Sequence, residues 1–426
     1  MSRQMSRQMS RRSFLTGIGT STVLLPTATA LGRSRNPITT GGDAADLQWE
    51  MVRRQFPFPD NRIPMNAANL CPSPRVVGDR VAELTRDIDA DCSFNNRAKF
   101  TDFREESRRK VASQLGVTAD EIALVRNTSE GNNTINSGFP LSPGDEVILW
   151  DQNHPTNNVA WDVRAARYDI IIKRVTTPEH PSGMEELLDV FVDAFGPKTR
   201  VLSITHLSNV SGIRLPVKEL CEIAHQKDIY VHVDGAQTWG ALDINLADLG
   251  CDSYTASAHK WFIGPKEAGV LYVRKDRISE IWPAVVAPGW GDDAETDLEG
   301  ARKFESLGQR DDACLAAVGT TVDFHNAIGA ARVEARILDL ATALKKGLKE
   351  IGVSLLTPED PKLSGGVCIV KAPREKRREI NNRLYEEHGI AAAPTGGLRL
   401  CPHIYNTTDH VDRALRAVRD LRPLFT

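Results

Sequence analysis

The chain has 426 residues, 41% of them hydrophobic, and a net charge of -3. That length accommodates two or three units with separate cores, and the near-neutral charge gives no reason to expect nucleic acid or an anionic membrane as partner. No apolar run approaches the ~18 residues that a membrane-spanning helix requires.

The N-terminus repeats MSRQ-MSRQ-MSRR, so Met1, Met5 and Met9 are equivalent candidate starts. Ser10-Arg11-Arg12-Ser13-Phe14-Leu15 resembles a twin-arginine export signal, and a disordered basic tail is the alternative. A weakly apolar stretch (16–25) and an A-x-A site at Ala28-Thr29-Ala30 follow. Residues 1–30 are therefore expected to be a cleaved signal peptide and 31–45, rich in Gly, Thr, Ser and Pro, a linker. The implied destination is periplasmic or secreted, with the twin-arginine translocase as a transient partner and no membrane anchor after cleavage. Seven cysteines, widely spread and without a CxxC pair, resemble neither a disulfide framework nor a metal site.

Further on, apolar runs predict strands at 122–125, 146–150, 170–175, 200–205, 229–233, 253–255 and 269–273. Helical spacing separates them, as in 216–227, where Leu220, Ile223 and Ala224 recur on one face. Continuous apolar strands joined by helical crossovers predict an α/β fold, a mostly parallel sheet covered by helices on both faces. Such sheets bind ligands beyond the carboxyl ends of their strands, and polar residues stand there: Asn127-Thr128-Ser129, His154, Asn209, Asp234 with Gln237, and Ser257 to Lys260. From residue 310 the texture changes to a long helical pattern (313–351), then apolar runs at 366–370 and 398–401 around a charged helix. The expected division is a large domain over 46–309, including an N-terminal segment, and a smaller C-terminal α/β domain over 310–426.

An acid at a strand end, followed by a lysine in a Ser/His-flanked turn, suits pyridoxal 5'-phosphate (PLP) chemistry. The lysine forms a Schiff base with the cofactor aldehyde, and the acid keeps the pyridine nitrogen protonated. The segment from Val231 to Val273, with Asp234, Gln237 and Ser257-Ala258-His259-Lys260-Trp261, resembles the class V aminotransferase family, which includes cysteine desulfurases and isopenicillin N epimerase-like proteins. The resemblance implies PLP fold type I, a homodimer, and Lys260, Asp234 and His154 as catalytic residues. His154, in Asn153-His154-Pro155, matches the histidine that stacks on the cofactor ring, although Asn153 and Pro155 depart from the family's EHHAN. Alone, it would read as a structural loop histidine.

Gln237 and Asn209, the latter in an SNxxG-like turn, are implied partners of the ring's 3-hydroxyl oxygen. Thr128, Ser129, Ser257 and His259 are implied phosphate contacts; alone, Thr128-Ser129 would read as a helix cap. Arg399 occupies the position that binds a substrate carboxylate, and Asn69, in Asn66-Ala67-Ala68-Asn69, is a further substrate candidate. The pair whose threonine reaches the neighbouring subunit's phosphate is Gly308-Gln309 here, which puts that contact in doubt.

A desulfurase needs a cysteine on the loop before Arg399, and 389–397 contains none; Cys401 lies two residues beyond, on a predicted strand. The expectation is a PLP-dependent enzyme acting at Cα of an amino acid, or of an amino-acid-containing metabolite or peptide, and isopenicillin N epimerase-like or aminotransferase-like. The alternatives are a C–S lyase and a catalytically retired periplasmic binding module. Substrate choice is expected around Asn69, Phe94 to Asn96 and Gly289-Trp290-Gly291.

Overall fold

The computed structural model describes residues 42–287 and 300–426. The export signal, most of the expected linker and Gly289-Trp290-Gly291 lie outside the described residues. Among the described residues are eleven strands: β1 (Ile63–Pro64), β2 (Ile122–Val125), β3 (Glu146–Trp150), β4 (Ile171–Val175), β5 (Thr199–Thr205), β6 (Tyr230–Asp234), β7 (Ser253–Ser257), β8 (Gly269–Val273), β9 (Cys368–Val370), β10 (Ile390–Ala391) and β11 (Leu398–Leu400).

Seven of them form the central sheet in the order β2-β8-β7-β6-β5-β3-β4. All run parallel except β8, which is antiparallel to both neighbours, β2 and β7. A parallel return needs a crossover of about a dozen residues or more, usually helical. The short connection after β7 is instead taken up by the turn that carries Lys260. Every residue of β2, β6, β7 and β8 is buried; β2 and β8 read as unbroken apolar runs, whereas β6 and β7 bury His232, Asp234, Ser253, Thr255 and Ser257 among theirs. The two faces feed different cores. On β3, Val147 and Leu149 join Ile135 and Trp161, while Ile148 and Trp150 pack with Leu202 and Phe191.

The helical pattern 313–351 is two helices, Asp312–Ile328 and Ala330–Ile351, separated by Gly329 at φ +97°. That backbone conformation suits glycine and interrupts the helix. The first helix is buried along most of its length and packs on Arg75–Ala90 and Lys99–Leu115. The second belongs to a separate core in which Leu340, Leu344 and Leu348 meet Ile380, Leu384 and Val418. Ile63 and Met65 join that same core, because β1 pairs with β10. β11 pairs antiparallel with β9, and a bridge between Asn66 and Cys401 brings its end against the N-terminal segment. Among the described residues no helix is long and apolar enough to cross a membrane.

Candidate active site

The carboxyl ends of β2, β3, β5, β6 and β7 open on one edge, because these five strands run in the same direction. After β2, Asn127 caps the helix Thr128–Gly138 by accepting from the Glu130 amide. The Thr128 amide donates to Ser257 Oγ at 2.8 Å, and the two hydroxyls lie 2.7 Å apart, which joins the helix start to the end of β7. This close approach depends on Gly131, where a Cβ would stand 2.0 Å from Thr255 Oγ1. Ser129 is half-buried at the same helix end. His259 follows β7 with its Nδ1 buried and without a partner among the described residues. Burial, Lys260 and Lys266 pull this imidazole down to about 4, so it is neutral at physiological pH. Hydroxyls, a neutral imidazole with an unused nitrogen and the positive end of a helix fit a phosphate.

Asp234 ends β6 and is 1% exposed. Its Oδ1 accepts from the Ala236 amide at 3.0 Å and its Oδ2 from Asn132 Nδ2 at 2.9 Å. Asn132 lies one turn beyond Thr128, and the sequence reading did not single it out. His154 caps the helix Pro155–Tyr168, its Nδ1 lying 2.8 Å from Thr156 Oγ1. Burial lowers its pKa and Lys260 adds to that, while Asp234 opposes and Arg399 adds again. Lys260, Asp234 and Arg399 thus each stand near enough to His154 to act on its charge. Asn153, where the family motif has Glu, accepts from the Thr205 amide and donates to the Ser203 carbonyl, both at 2.8 Å. It fixes the loop to β5.

Lys260 is half-buried. Burial pulls its ammonium below the usual lysine range, Asp234 opposing and Arg399 reinforcing. The turn closes through a 2.9 Å bond from the Ile263 amide to the Lys260 carbonyl, with Ile263 at φ +54°. A β-branched residue in the left-handed region is strained, so the flanking residues must hold it. The Trp261 carbonyl accepts from His403 Nε2 at 2.8 Å and the Phe262 carbonyl from His325 Nε2 at 2.9 Å. Burial drives His403 to about 3 and His325 to about 4, so both clamps are neutral. Phe262 stacks on Trp239 with centroids 3.7 Å apart. Gln237 accepts from Trp261 Nε1 at 2.7 Å and donates to the Ala68 carbonyl at 3.0 Å. One of its amide hydrogens is left for another acceptor.

Arg399, on β11, is 4% exposed. It donates from Nη1 to the Asn209 carbonyl and from Nη2 to Asn66 Oδ1, both at 3.0 Å. Its Nε has no partner, and no carboxylate pairs with it among the described residues. Asn209 thus meets Arg399 through its backbone. Asn69 is exposed and donates its amide to the Asn66 carbonyl, so it is Asn66 whose side chain reaches Arg399. Gln309 accepts from Arg97 at 2.7 Å and, with Phe94 and Gly308, lines a separate cavity of about 460 Å³.

With this geometry in place, comparison with known proteins is decisive: the aminotransferase class-V family model matches residues 71–418. The chain belongs to the class V aminotransferase family. Isopenicillin N epimerase from Streptomyces clavuligerus is 29% identical over 391 residues, 88% of this chain and 98% of that protein. An apo cysteine desulfurase from Thermococcus onnurineus NA1 superposes with a TM-score of 0.79 at 23% identity, covering 87% of this chain and 97% of its own. The cystine C–S lyase C-DES, in complex with its product cysteine persulfide, gives a TM-score of 0.78 at 24% identity over 86% of this chain and 99% of its own. This class V protein is accordingly a PLP-dependent enzyme of fold type I.

Proposed function

We propose that the enzyme acts at Cα of an amino acid or amino-acid-containing metabolite, in the manner of the isopenicillin N epimerase-like members. The observation that carries this is Arg399, a guanidinium 4% exposed that meets only the Asn209 carbonyl and Asn66 Oδ1 and has no acidic partner among the described residues. A carboxylate is the planar anion such a fork grips best. Bound PLP supplies a ring that accepts the electron pair left at Cα when a bond there breaks. Asp234 would hold the proton on the ring nitrogen of bound PLP, and His154 would help to hold its ring. Thr128, Ser129, Ser257 and His259 would hold the phosphate, and Gln237 and Asn209 the 3-hydroxyl oxygen. Lys260, whose ammonium burial makes easier to deprotonate than an exposed lysine, would carry the cofactor and move the proton at Cα.

Persulfide chemistry is disfavoured by the cysteines. Cys401 is buried, with its thiol pushed up by burial, and Cys71 is driven to about 12. Cys92 is exposed and follows the helix Arg75–Ala90.

Export is inferred from Ser10 to Leu15, and assembly as a homodimer from the cavity beside Gln309, where Phe94 is 87% exposed. Replacing Arg11 and Arg12 by Lys and fractionating cells tests the first; sedimentation of the purified protein tests the second.

For the chemistry, the purified protein with PLP is incubated in D2O with a panel of amino acids and amino-acid-bearing metabolites. Deuterium at Cα, lost in Lys260→Ala, is the expected result. Release of sulfide from cysteine, or of persulfide from cystine, with pyruvate and ammonia and without deuterated amino acid, would transfer the protein to the C–S lyases. A wild type that takes up no PLP would defeat both readings and favour a binding module.

A further inference from the structure

Behind Asp234 lies a line of buried polar side chains that the proposed chemistry does not use. Asn132 Nδ2 stands 2.9 Å from Asp234 Oδ2, Asn132 Oδ1 is 2.8 Å from His232 Nε2, and His232 Nδ1 is 2.7 Å from Ser253 Oγ. Asn132 is 1% exposed and His232 and Ser253 are 0% exposed. Three elements bring them together. His232 and Asp234 alternate onto one face of β6, and Ser253 pairs with His232 in the β6–β7 register. Asn132 descends from the helix that begins at Thr128.

The direction of each bond follows from chemistry. An ionised carboxylate only accepts, so Asn132 must present its NH2 to Asp234 and its oxygen to His232. His232 must then carry its hydrogen on Nε2. Burial holds this imidazole at about 3, so it has one hydrogen and Nδ1 must accept from the Ser253 hydroxyl. Every donor therefore points toward the carboxylate.

We propose that Ser253, His232 and Asn132 are positioning residues, a one-way hydrogen-bond chain that aims Asp234 at the ring nitrogen of the cofactor. The inference rests on the role given to Asp234 above. Burying three polar side chains is costly unless every bond is met, and apolar residues could fill the same space. The chain has a use because it ends on the one carboxylate that must keep a fixed orientation.

The test measures dissociation constants of PLP and of 1-deaza-PLP, whose ring nitrogen is replaced by carbon, for the wild type, His232→Leu and His232→Gln. His232→Leu leaves the Asn132 oxygen without a donor, and the amide is then free to turn. PLP is expected to bind about tenfold more weakly, while 1-deaza-PLP, which offers Asp234 no ring N–H, binds both proteins alike. His232→Gln can still donate to Asn132 and is expected to restore PLP affinity. Equal PLP binding by His232→Leu, or equal weakening for both cofactors, overturns the proposal. If His232→Leu does not fold, Ser253→Ala decides, with about threefold weaker PLP expected and unchanged affinity counting against the chain. A wild type that binds no PLP sinks the functional reading instead, so the two failures are distinct.

Discussion

Asp234 and Arg399 are both buried charges that act on Lys260, and the protein treats them in opposite ways. Asp234 is saturated on its inner side by the Ala236 amide and Asn132, with His232 and Ser253 behind. Arg399 meets a carbonyl and an amide oxygen, neither charged, and keeps its Nε unmatched. A group that serves a permanently held cofactor can have its partners built in. A group that serves a substrate must stay incomplete until the substrate arrives, since a resident carboxylate would compete with it. The difference fits the roles proposed for the two residues, Asp234 toward the cofactor and Arg399 toward a substrate carboxylate.

The sharpest way to break the comparison is to remove each charge and measure folding in the absence of cofactor. Asp234→Leu strips the acceptor from two buried donors and is expected to lower stability by roughly 2–4 kcal/mol. Urea unfolding of the apoprotein checks it, and PLP retention should fall with it. Arg399→Met relieves an unpaired buried cation while giving up two neutral hydrogen bonds, so stability should change by less than about 1 kcal/mol. Its cost should fall on catalysis, with kcat/KM for carboxylate-bearing substrates down about a hundredfold. If Arg399→Met unfolds as readily as Asp234→Leu, the guanidinium is structural and the asymmetry is lost.

Acid sharpens the cofactor side, because that edge is braced by neutral imidazoles. His206 and His232 are held at about 3, His403 at about 3 and His325 at about 4, in each case chiefly by burial. The folded values lie below the unfolded value of about 6.5, so the unfolded chain takes up protons first. Stability contributed by keeping them neutral is whole above about pH 6.5 and drains as pH falls toward the folded values. At about pH 5 each histidine costs about 2 kcal/mol. Unfolding midpoints in urea should therefore drop steeply between neutrality and about pH 5. Replacing His325 by Gln, which can still donate to the Phe262 carbonyl, should flatten the curve by one histidine's share.

The placement of much of the candidate site was readable in the sequence, because the candidate residues stand at or just beyond the ends of predicted strands. Thr128, His154, Asp234 and Lys260 are marked by the abrupt change from buried strand to polar turn. The lines behind them were harder to see. His232 and Asp234 share a strand face by simple alternation, and Asn132 falls one turn beyond Thr128, so those two signals existed in outline. Ser253 pairs with His232 only through the β6–β7 register, which no local pattern reveals. His325 and His403 reach the lysine turn from distant helical and loop segments. In Asn66-Ala67-Ala68-Asn69 composition cannot say which asparagine turns inward; the bridge to Cys401 decides for Asn66. The antiparallel β8 was likewise hidden, since an apolar run carries no direction.

Cys401 gives the smallest expected effect and tests whether the Arg399 side of the site serves recognition alone. It sits two residues beyond Arg399, close enough in sequence to invite a desulfurase assignment, yet it is fully buried and its thiol is pushed up by burial. A thiol that does not ionise is a poor nucleophile. Cys401→Ala should leave the rate of Cα exchange within about twofold of wild type and cost about 1 kcal/mol of stability through the lost sulfur packing. A large loss of turnover with stability intact would show the thiol acting on substrate. Arg399 would then position a sulfur-bearing substrate for attack rather than present Cα to Lys260, and the contrast with Asp234 would have to be redrawn around a nucleophile.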